Sequence, residues 1–317
     1  MKKTTLLTLC AAGVLAAGTA HAEYPDHPID VIVAFSPGGG TDVAARTIEP
    51  FIEKYLGAEL TIVNKPGAGG EIGFTTLATA KPDGYTIGFI NIPAMLAYSY
   101  ERKTQYSRES FTPIANLVSD PGIFAVRADS QFKTVKDLVE YGKANPKAIP
   151  IGTSGSVGSS EHLAIKTVEA LTGASFNHVP FGSTSPLRTA LLGGHIPVAA
   201  FNLSEGIQFM EEGQIRVLGV MADKRSPMAP DLPTFKEQGV DVVTGSSRGI
   251  AGPAGLPADI VAKLSEAIRK AEEDPEYVAK AKAADVPLNY IAADEYAKFL
   301  ENTDKALAEA WKKDPWK

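Results

Sequence analysis

Cysteine is almost absent from this 317-residue chain, and its scarcity removes several kinds of chemistry. The single cysteine, Cys10, lies in an N-terminal apolar stretch. The rest of the chain therefore has no disulfide, no thiolate zinc site and no cysteine nucleophile. The five histidines do not follow a metal-ligand spacing such as His-Glu-x-x-His, so no metal ion is expected.

Sequence motifs for nucleotide cofactors and for hydrolysis are also missing. No Gly-x-x-x-x-Gly-Lys-[Ser/Thr] motif occurs, and in the dinucleotide-like stretch 67–73 Ile72 takes the place of the third glycine. The segment around Ser154 and Ser156 does not match the Gly-x-Ser-x-Gly pattern of a nucleophile elbow. No cofactor is expected, and an enzyme such as a hydrolase or isomerase is only the minor alternative.

Basic residues are outnumbered by acidic ones. The chain has 31 Lys and Arg against 37 Asp and Glu, a net charge of −6. This balance argues against nucleic acid as a partner. It does not exclude an anionic ligand, because the N-termini of helices bind anions locally.

The first 22 residues have the pattern of an export signal. Lys2 and Lys3 precede an apolar stretch at residues 6–17, which is shorter than the about 20 residues of a membrane span. Ala20-His21-Ala22 fits a small-x-small cleavage site. A buried N-terminal helix is one alternative. A lipoprotein signal at Cys10 is another, although Leu9 stands where a small residue is wanted. We expect residues 1–22 to be a cleaved signal peptide and the protein to be periplasmic.

The rest of the chain alternates between strand and helix patterns. Strands are predicted at 29–35, 59–63 and 85–91, with helices at 41–55 and 71–80 between them. A βαβαβ order of this kind predicts a parallel sheet with right-handed crossovers.

A second α/β unit is predicted after the first. Its strands are expected at 123–127, 149–153, 178–181, 196–201 and 215–221, with helices at 134–144 and up to about 171. From Pro257 onward the sequence is charged, alanine-rich and helical, with Asp294 as the expected N-cap of a last helix.

Three glycine-rich turns each stand between a predicted strand and a helix. They span residues 36–42, 64–70 and 152–160. In a parallel sheet such turns lie at the carboxyl ends of the strands, where ligands bind, and they open helices whose free N–H groups favour an anion. We therefore expect the turns to surround a small anionic ligand, the alternative being three ordinary βα turns.

Several single residues have two interpretations each. His162 either aims its ring at a bound carboxylate or packs behind the third turn. Arg248 is either a carboxylate clamp or a surface residue. Asp42 is expected to brace its helix start rather than touch ligand. Three phenylalanines at strand ends either wall the cleft or belong to the core: Phe35, Phe181 and Phe201.

The order and spacing of these motifs identify a family. The chain resembles the solute-binding proteins of tripartite tricarboxylate transporters, the TctC or Bug family. The resemblance covers essentially the whole mature chain and rests on residues 33–42, 64–70, 81–87, 155–163, 178–181, 191–194, 225–235 and 251–255.

The resemblance implies a two-lobed α/β fold of the type II periplasmic binding proteins, each lobe a mainly parallel sheet flanked by helices. Lobe 1 is expected to comprise residues 23–121 and 249–317, and lobe 2 residues 122–248, with hinge crossings near 120–127 and 244–252. Implied partners are a large and a small membrane permease subunit, and a monomer is expected.

Family members hold a ligand carboxylate with the loops that correspond to residues 36–42 and 154–160. Together with the residues already discussed, this gives an expected ligand-binding set of Phe35, Ser36, Pro37, Gly38, Gly39, Gly40, Thr41, Asp42, Ala68, Gly69, Ser154, Gly155, Ser156, Val157, Gly158, Ser159, His162, Phe181, Asn202 and Arg248.

The chain departs from the family pattern at three places. Phe181-Gly182-Ser183 stands where Tyr-Lys-Gly is usual, Phe201 replaces the acid of an Asp-Asn pair, and Arg248 replaces an aromatic residue. Loss of an acid and gain of an arginine favour a di- or tricarboxylate over a ligand with an ammonium group. The expected function is transport. The alternatives are a sensory binding protein, an enzyme and a structural secreted protein.

Overall fold

The computed structural model describes residues 24–316, so the predicted signal peptide lies outside the described residues. The N-terminal half begins as a βαβαβ unit and then enters one very long strand. Its elements are β1 (Ile29–Val33), α1 (Gly40–Leu56), β2 (Leu60–Asn64), α2 (Glu71–Ala78), β3 (Thr86–Ile92), α3 (Ala94–Glu101) and β4 (Phe111–Arg127).

The second half contains a second set of alternating strands and helices, a long returning strand and a helical tail. Its elements are α4 (Val135–Ala144), β5 (Pro150–Thr153), α5 (Ser160–Thr172), β6 (Asn177–Pro180), α6 (Thr184–Leu192), β7 (Val198–Asn202), α7 (Ile207–Glu211), β8 (Ile215–Met221), β9 (Gly245–Pro253), α8 (Ala258–Glu273), α9 (Pro275–Ala283), β10 (Leu288–Ala292) and α10 (Ala293–Lys313).

The strand β4 belongs to both lobes. Residues 111–121 pair with β9, and residues 122–127 pair with β7 and β8. The described strands run in the order β2-β1-β3-β9-β4-β7-β5-β6, with β8 and β10 also on β4. Lobe 1 is therefore built on β1, β2, β3, β9, β10 and the first part of β4, and lobe 2 on the remainder. The chain returns to lobe 1 just before Gly245, because residues 245–253 pair with β3 and β4.

Each lobe combines a parallel part with antiparallel crossing strands. β1 pairs in parallel with β2 and β3, and β5 pairs in parallel with β6 and β7. The ladders of β9 with β3 and of β4 with β7, β8, β9 and β10 are antiparallel. The carboxyl ends of the parallel strands, and the glycine-rich turns that follow them, meet where the lobes face each other.

Apolar clusters fill both lobes. In lobe 1, one cluster joins β1 to α1 and α8, and another joins β3 to α2, α3 and α10. In lobe 2, one cluster joins β5 to α4 and α5, and another joins β7 to α6 and β8. Apolar side chains buried between the helices and the sheet thus hold each lobe together, because the removal of apolar surface from water is the main favourable term in folding.

Some elements differ from the sequence-based expectation. β4 begins at Phe111 instead of residue 123, because Pro113 and Pro121 within it make the segment look unlike a strand. α3 and β10 were not predicted. α10 begins at Ala293 after Ala292 as its N-cap position, so Asp294 is not the cap but lies in the first turn, where its charge complements the helix dipole.

No helix within residues 24–316 is long and apolar enough to cross a membrane.

Candidate functional site

The first glycine-rich turn joins β1 to α1 and is braced from within. The carboxylate of Asp42 accepts hydrogen bonds from Gly38 N at 2.9 Å, Asn64 Nδ2 at 2.9 Å and Arg46 Nε at 3.0 Å. Burial alone would raise the pKa of Asp42, but these hydrogen bonds lower it below its ordinary value. Asp42 thus fixes the shape of the turn and does not line the cavity between the lobes.

The second turn, 64–70, contacts the opposite lobe. Tyr98 Oη donates to Gly69 O at 2.8 Å, and a Cβ on Gly69 would lie 2.4 Å from Ser156 Oγ of lobe 2. Gly69 has φ +70°, a conformation that glycine adopts without steric cost. The second and third turns therefore approach each other more closely than any larger residue at position 69 would permit.

The third turn is supported from behind by two histidines. Gly158 N donates to His162 Nδ1 at 3.1 Å, and the His178 ring lies 4.5 Å from the His162 ring and 2.7 Å from Thr153 Oγ1. Burial, with a smaller effect of the neighbouring ring, lowers the pKa of His162 to about 3, and burial lowers that of His178 to about 4. Of the two interpretations of His162, the structure shows the packing one: the neutral ring holds the loop.

A cavity of about 40 Å³ lies between the lobes where these elements meet. Side chains from both lobes and from the crossing strands line it: Phe35, Thr41, Asn91, Ala94, Tyr98, Ser154, Gly155, Ser159, Ser160, Glu161, Thr184, Asn202, Glu205, Ser246 and Arg248. A cavity of about 10–15 Å³ holds one water molecule. In this conformation the space therefore accepts only a few atoms, and a larger ligand requires the lobes to move apart.

Direct hydrogen bonds join the lobes around this cavity. Gly40 N, at the start of α1 in lobe 1, donates to Glu205 Oε1 of lobe 2 at 2.8 Å. Within lobe 2, Thr184 Oγ1 donates to the same oxygen at 2.8 Å. Ser36 N donates to Ser183 Oγ at 3.2 Å. A helix N-terminus carries free N–H groups and a partial positive charge, and here a protein carboxylate satisfies one of them.

Arg248 lies at the centre of a buried charge network. Its Nη1 donates to Asp120 Oδ2 at 2.8 Å, and its Nη2 lies 3.7 Å from Glu205 Oε2. Asp120 also accepts hydrogen bonds from the backbone N–H and the hydroxyl of Ser204. Arg248 is therefore not a surface residue: its side chain is 2% exposed and carboxylates of the protein compensate its charge, while a contact with a ligand carboxylate stays a prediction.

Three buried polar atoms on the cavity lining have no hydrogen-bond partner among the described residues. They are Asn91 Oδ1, Asn202 Oδ1 and Arg248 Nε. A buried polar atom without a partner costs about 1–3 kcal/mol. The site therefore offers two acceptors and one donor to a molecule that enters it.

Of the predicted ligand-binding residues, seven line the cavity: Phe35, Thr41, Ser154, Gly155, Ser159, Asn202 and Arg248. The others surround it without lining it. The contacts described above involve Ser36, Gly38, Gly40, Asp42, Gly69, Ser156, Gly158 and His162. The same turns also contain Pro37, Gly39, Ala68 and Val157.

The strand-end phenylalanines divide between the two interpretations. Phe35 is half-buried on the cavity wall. Phe181 packs against the core of lobe 2, and Phe201, fully buried, belongs to that core.

Eight lining residues were not predicted: Asn91, Ala94, Tyr98, Ser160, Glu161, Thr184, Glu205 and Ser246. Asn91 is the last residue of a predicted strand. A polar residue at the carboxyl end of a strand could therefore have been predicted to line the site. Thr184 and Glu205 carry no local signal, because each reaches the site through the packing of α6 or of the turn after β7.

Comparison with known proteins assigns the chain to one group. A model of the tripartite tricarboxylate transporter family receptor, TctC, matches residues 44–312. A protein of Cupriavidus necator described as "UPF0065 protein in gbd 5'region" is 33% identical over 306 residues, covering 94% of this chain and 93% of that protein.

Solved structures share the fold. One described as a periplasmic transporter has a TM-score of 0.86 at 30% identity, covering 93% of this chain and 99% of the other. MatC of Rhodopseudomonas palustris with bound malate has a TM-score of 0.84 at 26% identity (90% and 99% covered). A second R. palustris protein, with adipate, has a TM-score of 0.86 at 25% identity (92% and 98% covered). These likenesses confirm the predicted two-lobed α/β binding-protein fold.

Proposed function

The chain belongs to the tripartite tricarboxylate transporter receptor family, and from this premise we propose that it is a periplasmic protein that captures a small carboxylate between its lobes and delivers it to the membrane subunits of such a transporter. The family is one of binding proteins, not of enzymes. A large and a small permease subunit are the proposed partners.

One observation carries the proposal. The cavity lies between the lobes, at the starts of α1 and α5, and its lining retains unpartnered polar atoms. Helix starts after the carboxyl ends of parallel strands are the usual place for an anion in an α/β protein. The malate and adipate found in two related structures support a carboxylate as the ligand.

The expectation of a di- or tricarboxylate rested on an arginine free to hold a second carboxylate. Asp120 bonds that arginine, and Glu205 supplies an acid close to it. The charges around Arg248 therefore do not favour a second ligand carboxylate, and we propose a small carboxylate without that restriction.

Thermal unfolding against a panel of carboxylates tests the proposal. The panel contains mono-, di- and tricarboxylates, amino acids and nicotinate. A ligand at 100 times its dissociation constant adds about 2.7 kcal/mol to the free energy of unfolding. We expect a clear shift with one chemical group, and mass spectrometry of the unfolded sample detects any ligand carried over from expression. A protein free of such ligand that no acid stabilises would contradict the proposal.

Delivery is tested separately from capture. Permease subunits reconstituted in vesicles are expected to take up the captured acid only when this protein is present outside. Capture without any stimulation of uptake would contradict the transport role and favour the sensory one.

A further inference from the structure

The lining of the interlobe cavity has more negative than positive groups. Glu161 and Glu205 both line it and are almost fully buried, and Arg248 is the cationic side chain beside them. Asp120 already takes up the charge of Arg248 through the bond at 2.8 Å. The described lining, together with Asp120, thus holds three carboxylates against one guanidinium.

The hydrogen bonds that Glu205 and Glu161 accept do not neutralise their negative charges. Glu205 Oε1 accepts from Gly40 N and Thr184 Oγ1, and its Oε2 accepts from Asn202 N at 3.1 Å. Glu161 Oε1 accepts from Ser160 Oγ at 3.0 Å. These donors are neutral, and the cation beside Glu205 is Arg248, whose Nη2 lies 3.7 Å from Glu205 Oε2 and whose Nη1 already bonds Asp120.

Two buried amide oxygens of the lining lack a hydrogen-bond donor, which is a second observation independent of the charges. Asn202 is 4% exposed, and its Nδ2 lies 3.4 Å from Glu205 Oε2, which identifies the amide edge that faces the carboxylate. Its Oδ1 faces the backbone N–H of Glu205 in a capping-box arrangement but makes no hydrogen bond with it or with any other described group. Asn91, 6% exposed, directs Nδ2 to Thr41 Oγ1 at 2.8 Å and likewise leaves Oδ1 without one.

We propose that the ligand of this site carries a protonated nitrogen as well as its carboxylate, so that it is an amino-carboxylate rather than a plain di- or tricarboxylate. This inference rests on the proposed function. The ammonium group supplies three donors and a positive charge to the Asn202 and Asn91 oxygens and to the glutamates. The ligand carboxylate takes the remaining donors, among them Arg248 Nε.

Electrostatics disfavours the alternative ligand. A second ligand carboxylate brought next to two buried glutamates adds like charge in a region of low dielectric constant, where a buried charge without a partner is costly. Burial already raises the pKa of Glu161 above its ordinary value. A cation in the cavity removes that penalty, and an additional anion increases it.

Matched pairs of acids that differ only in the amino group test the inference. Isothermal titration calorimetry at pH 7 compares alanine with propionate, aspartate with succinate, and glutamate with glutarate. We expect at least one amino acid to bind at least tenfold more tightly than its partner. Tighter binding of the plain acid in the pairs that bind would overturn the inference and leave the proposed function standing. If neither member of any pair bound, the inference would be contradicted, and the wider carboxylate panel would decide the proposed function.

Variants locate the effect. Glu161→Gln and Glu205→Gln remove one charge each and keep the shape of the side chain. Each is expected to lower the ratio of amino acid to plain acid affinity at least tenfold. Glu272→Gln, at a half-buried glutamate of α8 outside the cavity, is the control and should leave the ratio unchanged. An unchanged ratio in both cavity variants would contradict the inference, and two separate positions guard against a variant that fails to fold.

Discussion

Arg248 and Asp120 form a buried ion pair with an N–O distance of 2.8 Å between the two strands that connect the lobes. Arg248 lies on β9 and Asp120 on β4, next to the point where β4 changes its pairing from lobe 1 to lobe 2. The side chains are 2% and 0% exposed. The pair therefore joins the two crossing strands, and its arginine lines the cavity.

Breaking this pair should cost stability. Arg248→Met leaves Asp120 buried without its cation, which costs about 3–5 kcal/mol. In the double variant Asp120→Asn/Arg248→Met both charges are gone, so its loss should be smaller than the sum of the single losses. Urea unfolding of the wild type, Arg248→Met, Asp120→Asn and the double variant measures this coupling. Additive losses would show that the two side chains do not stabilise each other.

Gly40 is expected to tolerate no side chain. A Cβ there would lie 2.6 Å from Arg248 Nη2 and 2.8 Å from Glu205 Oε1, so Gly40→Ala should displace both groups and weaken ligand binding at least tenfold. Gly39→Ala is the matched control, because its Cβ meets nothing closer than 3.4 Å and its φ of −83° suits alanine. Calorimetric titration with the ligand found in the panel measures both. Equal affinities would contradict the assignment of this turn to the site.

Gly69 tests whether the lobes must approach each other closely. Gly69→Ala and Gly38→Ala each place alanine at a left-handed φ, +70° and +76°, which costs about 1–2 kcal/mol in either case. Only the Gly69 variant adds a clash with Ser156 of the opposite lobe. Thermal unfolding should show similar losses for both, and titration should show weaker ligand binding for Gly69→Ala alone. Binding weakened equally in both would point to strain, not to lobe contact.

The paired histidines predict a loss of stability in acid. The pKa values of His162 and His178 in the folded protein are about 3 and 4, below the ordinary 6.5. At a pH between these folded-state values and 6.5, the unfolded chain therefore binds more protons than the folded protein. Stability should therefore be full above pH 6.5 and decrease as the pH falls toward 4, with a slope of up to about 1.4 kcal/mol per pH unit for each histidine.

Urea unfolding at several pH values measures this slope. His162→Asn retains an acceptor for Gly158 N but cannot titrate, so it should flatten the slope. His195→Asn, at an exposed position, is the control and should not. An unchanged slope in His162→Asn would assign the acid sensitivity to other groups.

The sequence reveals the fold better than the site. Alternating apolar strands and periodic helices are local patterns, so the βαβαβ start and most strands of lobe 2 could be predicted. The length of β4 could not, because Pro113 and Pro121 hide it, and β10 depends on a partner far away in sequence. Likewise, Ser154, Gly155 and Ser159 could be placed at the site because a glycine-rich turn between a strand and a helix has a known position.

The sequence by itself determined where the helices after the three glycine-rich turns start and that the chain contains two α/β units, because these properties follow from the order of residues along the chain. Only the tertiary structure decided the electrostatics of the site. Asp120 and Arg248 are 128 residues apart, and Glu205 reaches Gly40 from 165 residues away. The charge that a ligand meets depends on such pairings, since the effect of one arginine depends on which carboxylates the fold places beside it.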